Sequence, residues 1–148
     1  IQAMAQNGGV IMINFGGSFI DSAYAVGSSK VREHLVNYMA ENNLSRSDSA
    51  FRAYAESYAA ANNPFPTVQK VADHIDHVVN LVGVDHVGFG SDFDGVGDSL
   101  PTGLKDVSMF PNLIAELLKR GYSKEDIEKI CYKNIFRVWQ AVEDYAKK

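Results

Sequence analysis

The sequence predicts an α/β fold built on a parallel sheet. Three features carry this reading. Two short apolar runs, Val10-Ile11-Met12-Ile13 and His86-Val87-Gly88-Phe89-Gly90, are bounded or broken by glycines and lack the polar alternation of a one-sided strand, so they read as strands buried on both faces. Between them, residues 68–82 place Val68, Val71, Ala72, Ile75, Val78, Val79 and Val82 at the spacing of a core-facing helical stripe. A strand, a helix and a second strand in that order require a parallel pair joined by a right-handed crossover.

The elements follow in order. Ile1, Met4 and Ala5 read as the last turns of a helix that Gly8-Gly9 ends, and Ile rather than Met at position 1 leads us to expect upstream sequence. The first strand runs into Asn14-Phe15-Gly16-Gly17. Ser28 or Ser29 is the expected cap of a helix reaching Glu41, with Val31, Leu35, Tyr38 and Met39 on one face. Asn42-Asn43 breaks it, and Ser45 or Ser47 starts another helix to about Ala61. Asn62-Asn63-Pro64-Phe65-Pro66 is a loop. Thr67 caps the striped helix and Gly83 ends it. After the second strand, a glycine-rich loop extends from Ser91 to about Lys105. Pro111 suits the first turn of a helix reaching Arg120. Ser123-Lys124-Glu125-Asp126 has the form of a capping box, and Asn134 is expected to cap the last helix, Ile135 to about Ala146. Two strands do not make a stable sheet by themselves, so the chain is expected to pair with another or to belong to something larger.

Composition narrows the function classes. At 148 residues with 46% hydrophobic and 22% charged residues, the chain has the balance of one soluble globular domain. Its 14 basic residues are scattered and its net charge is −4, which argues against nucleic acid as a partner. No apolar run approaches the ~20 residues of a membrane helix. Cys131 is the one cysteine, which excludes an internal disulfide and a cysteine zinc cluster. Its apolar neighbours favour a structural thiol. The compartment stays open, and Asn43-Leu44-Ser45 is formally a glycosylation acceptor.

The strongest chemical constellation is Gly88-Phe89-Gly90-Ser91-Asp92-Phe93-Asp94-Gly95, with two carboxylates just past the end of a buried strand. In parallel α/β folds, ligands and catalytic groups gather at that edge. One carboxylate could handle protons; equally, both could cap the glycine-rich turn. Asp92 is favoured over Asp94 because it lies nearer the strand. Two look-alikes fail. Counted from Asp92 as a calcium loop, Val96 stands at position five and Gly103 at position twelve, where oxygen ligands belong. As a dinucleotide fingerprint, Phe93 replaces the third glycine. His74 and His77 are spaced to chelate, but the core stripe leaves both near the solvent face, and a third ligand is not evident. His86 lies at the opposite strand end from Asp92, and His34 on an exposed-looking helix.

At Val71-Ala72-Asp73-His74-Ile75-Asp76-His77, Val84-Asp85-His86-Val87-Gly88-Phe89-Gly90-Ser91-Asp92-Phe93-Asp94-Gly95, Pro101-Thr102-Gly103-Leu104-Lys105-Asp106-Val107, Pro111-Asn112-Leu113-Ile114-Ala115-Glu116-Leu117 and Asn134-Ile135-Phe136-Arg137-Val138, the sequence closely resembles the membrane dipeptidase family of zinc peptidases (renal dipeptidase, peptidase M19). Gly8-Gly9-Val10-Ile11-Met12-Ile13-Asn14-Phe15 fits as well. The resemblance covers 1–148, with 28–61 a helical excursion inside it. It implies the C-terminal part of a (β/α)8 TIM barrel, about its last two strands with their helices. It implies hydrolysis of dipeptides by water activated between two zinc ions, whose ligands are expected upstream of Ile1, and Asp92 as general base and then acid. Phe15, Phe19, Phe93 and Asp94 are candidates for the substrate mouth, although core packing suits each phenylalanine as well. The expected partners are a dipeptide substrate and the remaining barrel portion, in the same protein or another chain, with room for a homodimer. Alone, the chain is expected to be inactive. The alternatives are an amidohydrolase acting on another small amide, and a barrel fragment used for binding or assembly.

Overall fold

The two apolar runs form β1 (Ile11–Asn14) and β2 (Val87–Ser91), and they pair in parallel, with Ile11 beside Val87 and Ile13 beside Phe89. The computed structural model describes residues 1–147. The pair is the whole sheet among the described residues. Its faces are covered unevenly: Ile13, Val87 and Gly88 are buried, whereas Ile11, Met12 and Phe89 keep partial access to solvent. The expectation of strands buried on both faces is therefore met only in part.

Helix α1 (Gln2–Gln6) leads into β1, and the short α2 (Gly17–Ile20) follows it. Helices α3 (Ser22–Glu41) and α4 (Ser49–Asn62) make the excursion before α5 (Val68–Val82). Helix α3 starts earlier than Ser28, because the Asp21 carboxylate accepts from the N–H groups of Ala23 (2.9 Å) and Tyr24 (3.2 Å) and so caps it. Gly27 lies inside this helix, where Asn63 packs against it and donates to the Tyr24 carbonyl and the Ser28 hydroxyl. Helix α4 begins at Ser49 rather than Ser45 or Ser47; those serines instead form a turn in which Ser45 donates to Asp48.

The striped helix α5 lies where its pattern demands. Val71, Ala72 and Ile75 are fully buried, and Gly83 ends the helix. Against them pack Leu113 and Leu117 of α6 (Phe110–Lys119), Leu104 of the long loop, and Ile130. Burial of each such side chain stabilises the fold by roughly 1.5–3 kcal/mol before entropy is counted. A polar hub closes the rim of the α5–α6 contact. The Arg120 guanidinium donates to Asp73 (2.8 Å), Asp76 (2.6 Å) and Glu116 (2.9 Å), and Tyr122 donates to Asp76 (2.7 Å). Burial works against the charge on Arg120, and the three carboxylates more than reverse that, so the guanidinium is held firmly protonated.

Ser123 and Asp126 form the capping box of α7 (Lys124–Glu128) as the sequence predicts. The expectation for Asn134 is overturned. The chain passes from α7 through a π-helical turn (Lys129–Lys133) directly into α8 (Asn134–Ala146), so no new helix start exists for Asn134 to cap. Its side chain is 3% exposed and donates to the carbonyls of Val84 (2.7 Å) and Val87 (2.9 Å), clamping the entry of β2 to the C-terminal helices.

Candidate active site

Asp92 follows the end of β2 across a break in the strand register. Ile13 pairs with Phe89, but Asn14 pairs with Ser91, so β2 carries one extra residue, Gly90. At Gly90 the strands approach so closely that a Cβ would lie 2.8–2.9 Å from backbone atoms of Met12 and Ile13. The bulge then turns the chain. Ser91 and Asp92 both take left-handed backbone conformations, with φ of 49° and 61°, and the Asp92 N–H donates to the Gly90 carbonyl at 2.7 Å. Left-handed backbone costs a non-glycine residue about 1–2 kcal/mol, less for Asp than for most. The neighbouring strand holds it there: Phe15 N–H donates to the Ser91 carbonyl at 3.0 Å.

One side chain reaches the Asp92 carboxylate. Asn14, at the end of β1, donates its amide N–H to Asp92 Oδ2, while Asn14 Oδ1 accepts from the Gly16 N–H at 2.7 Å. Asn14 is the site residue that the sequence reading passed over. The available signal was its place at the C-terminal end of β1, level with the end of β2 once the strands are paired. Among the described residues neither Asp92 nor Asp94 accepts a loop N–H, so neither acts as the turn cap that was the rival reading.

The other candidates separate. Phe15 is 0% exposed and sits edge-on to Phe89, Phe93 and Phe110, with ring centroids 6.0–6.2 Å apart. Phe15 thus packs in the core of the described structure. Phe93 shares that cluster but stays half-buried, Asp94 is exposed, and Phe19 is 68% exposed. The loop after Asp92 is anchored at its far end. Gly17 N–H donates to the Ser99 carbonyl (2.9 Å), Thr102 N–H donates to the Pro66 carbonyl (2.8 Å), and Leu100 and Leu104 are buried. Lys105 binds Asp98 at 2.8 Å and lies over the Phe65 ring.

No three His, Cys, Asp or Glu side chains converge among the described residues. His74, half-buried rather than on the solvent face, donates to the Ile20 carbonyl (2.8 Å), and His77 is exposed. The carboxylates between and beside them belong to the Arg120 hub. His86 donates to the Gly9 carbonyl (2.8 Å) at the entry end of the strands. His34 stacks on Tyr58 and shares a hydrogen bond with Tyr54 (2.7 Å). Cys131 is half-buried beside Phe89, Phe110 and Ile114, and burial pushes its thiol above the ordinary range, as suits a structural thiol. A cavity of about 650 Å³ lies between α3 and α4, and Asp92 is not in its lining. It is an apolar cleft of the excursion, separate from the carboxylate at the sheet edge.

Comparison with known proteins places the chain. It is 51% identical over 80 residues to dipeptidase tcpJ of Claviceps purpurea (strain 20.1) and 53% identical over 83 residues to dipeptidase verJ of Clonostachys rogersoniana. These matches cover 54% and 56% of this chain but only 19% and 21% of those proteins. Among solved structures, the probable dipeptidase PvdM from Pseudomonas aeruginosa superposes with a TM-score of 0.65 at 28% identity, over 93% of this chain and 38% of that one. A metallo peptidase from Rhodobacter sphaeroides, liganded with a phosphinate mimic of the dipeptide L-Ala-D-Ala, shares the fold with a TM-score of 0.56 at 24% identity, over 89% of this chain and 27% of its own. The family model for membrane dipeptidase (peptidase family M19) matches residues 1–148, and on that match across its whole length the chain belongs to this family of metallopeptidases.

Proposed function

We infer that the chain is the C-terminal portion of a (β/α)8 barrel dipeptidase, and that its chemical contribution is the Asp92 carboxylate. The observation that carries this is the placement of Asp92 by the bulge and by Asn14, at the strand edge where parallel α/β enzymes do their chemistry. In amide hydrolysis Asp92 accepts a proton from the attacking water and returns it to the leaving amine, as general base and then acid. Phe93 and Asp94 line the mouth. An exposed carboxylate at Asp94 suits the free ammonium group of a dipeptide. The named relatives are dipeptidases, and one fold neighbour holds a dipeptide mimic, which supports a dipeptide as substrate.

Two zinc ions belong to this reading as cofactors held by residues outside this chain, since the described residues bring no three His, Cys, Asp or Glu side chains together. The rest of the barrel is the partner that completes the sheet beside β1 and β2. Without it, Asp92 has neither cofactor nor a closed site, and the chain alone is inactive.

The test is Asp92→Asn in the complete enzyme. Turnover of dipeptides should fall by about 10²-fold or more, the scale of a lost general acid–base group, with zinc content unchanged. Near-normal turnover with zinc retained would remove Asp92 from proton transfer.

A further inference from the structure

We propose that Asn14 is the positioning residue for Asp92, and that it selects Oδ1 as the carboxylate oxygen that carries the proton. The inference rests on the reading of Asp92 as the general base and goes one step further into the same site. Three observations support it. Asn14 Nδ2 donates to Asp92 Oδ2, whereas Oδ1 accepts no hydrogen bond among the described residues. Asn14 cannot turn its amide over, because its own Oδ1 is held by the Gly16 N–H at 2.7 Å; only the N–H edge can face Asp92. Finally, Asp92 sits on left-handed backbone after a left-handed Ser91, and while backbone bonds hold that turn, the Asn14 amide is the tie between the carboxylate itself and the neighbouring strand.

The chemistry follows from these contacts. A carboxylate with both oxygens free rotates and offers either one to water. With Oδ2 occupied by a neutral donor, the carboxylate plane is set and Oδ1 is the free acceptor. A neutral amide does this without bringing a second charge. An aspartate at position 14 would keep the shape and still accept from Gly16 N–H, yet would set one carboxylate against another. The two roles of Asn14, acceptor toward Gly16 and donor toward Asp92, need a side chain with both functions and the asparagine length.

The experiment is a double-mutant cycle in the complete, zinc-loaded enzyme with a dipeptide substrate. Asn14→Ala should lower kcat by about 10- to 100-fold, the range for loss of a supporting or orienting contact, with KM within about twofold. In the Asp92→Asn background the same change should lower kcat by no more than about twofold, since the group it orients has already been lost. Asn14→Asp, nearly isosteric, should lose at least as much kcat as Asn14→Ala while its thermal midpoint shows that it folds. Equal losses in both backgrounds would assign Asn14 a purely structural part and overturn the proposal, as would wild-type kcat in Asn14→Asp. Should Asp92→Asn itself turn over normally, the reading of Asp92 fails first, and that result is told apart from a failure of Asn14 alone by the single mutants.

Discussion

Asp92 and Asn134 show how far one side chain can organise this molecule. Asp92 follows a bulge in its own strand, β2, and is held by Asn14 of β1, more than seventy residues earlier in the chain. Asn134 does the corresponding task at the other end of β2, with two N–H groups on two carbonyls. Asn134→Ala leaves both carbonyls without that donor inside the fold. We expect a loss of about 2–3 kcal/mol in stability, the penalty of stranded polar groups, read as a lower denaturant midpoint of the complete enzyme. Asn134→Asp should be worse at neutral pH, since it sets acceptors against acceptors. An unchanged midpoint in Asn134→Ala would mean that the clamp contributes nothing.

Among the elements, α5 and α7 were legible in the sequence because their determinants are local. A stripe of seven apolar residues and a four-residue capping box each specify their own helix. The box also yields a pH dependence. Hydrogen bonds from Ser123 hold the Asp126 carboxyl below its ordinary value of 3.8. A carboxyl lowered on folding contributes stability above its unfolded pKa and loses it as pH falls through the folded one. The stability gap between wild type and Asp126→Asn should therefore be full above the ordinary carboxylate range and close as pH falls through the lowered folded value. A gap that is constant across this range in thermal melts would show that the charge is not engaged. The start of α3 and the absence of a break at Asn134 were misread for one reason. Several Ser, Asp and Asn residues could serve as caps and no local pattern ranks them: Asp21 takes the N–H groups of Ala23 and Tyr24, and Asn134 bonds the carbonyls of Val84 and Val87 instead of capping.

For the whole molecule, the telling surface runs from the π-helical turn into α8. Tyr132, Phe136, Trp139 and Val142 follow one another at three- and four-residue spacing and are 44%, 58%, 59% and 64% exposed. Exposed apolar faces of this kind favour interfaces, and the outer edges of β1 and β2 have no strand beside them among the described residues. We propose that the remainder of the barrel covers both. Trp139 is the one tryptophan, so its emission reports on this face when the complementing polypeptide has none. Mixing the two should give a 1:1 complex with blue-shifted Trp139 emission. A complex whose Trp139 spectrum does not change would place the interface elsewhere. No described helix is long and apolar enough to cross a membrane.

By itself the sequence determined the periodic elements, the parallel order of the two strands, the capping box, the family, and the segment that bears Asp92. These depend on patterns within a window of a few residues or on a long specific motif. That neither Asp92 nor Asp94 accepts a loop N–H among the described residues, and which partners Asn14 and Asn134 bond, came only from the tertiary structure. The physical reason is the same in each case. A polar side chain near a turn has several hydrogen-bond partners open to it, and which of them it meets is decided by strand pairing and helix packing over distances that no local pattern records.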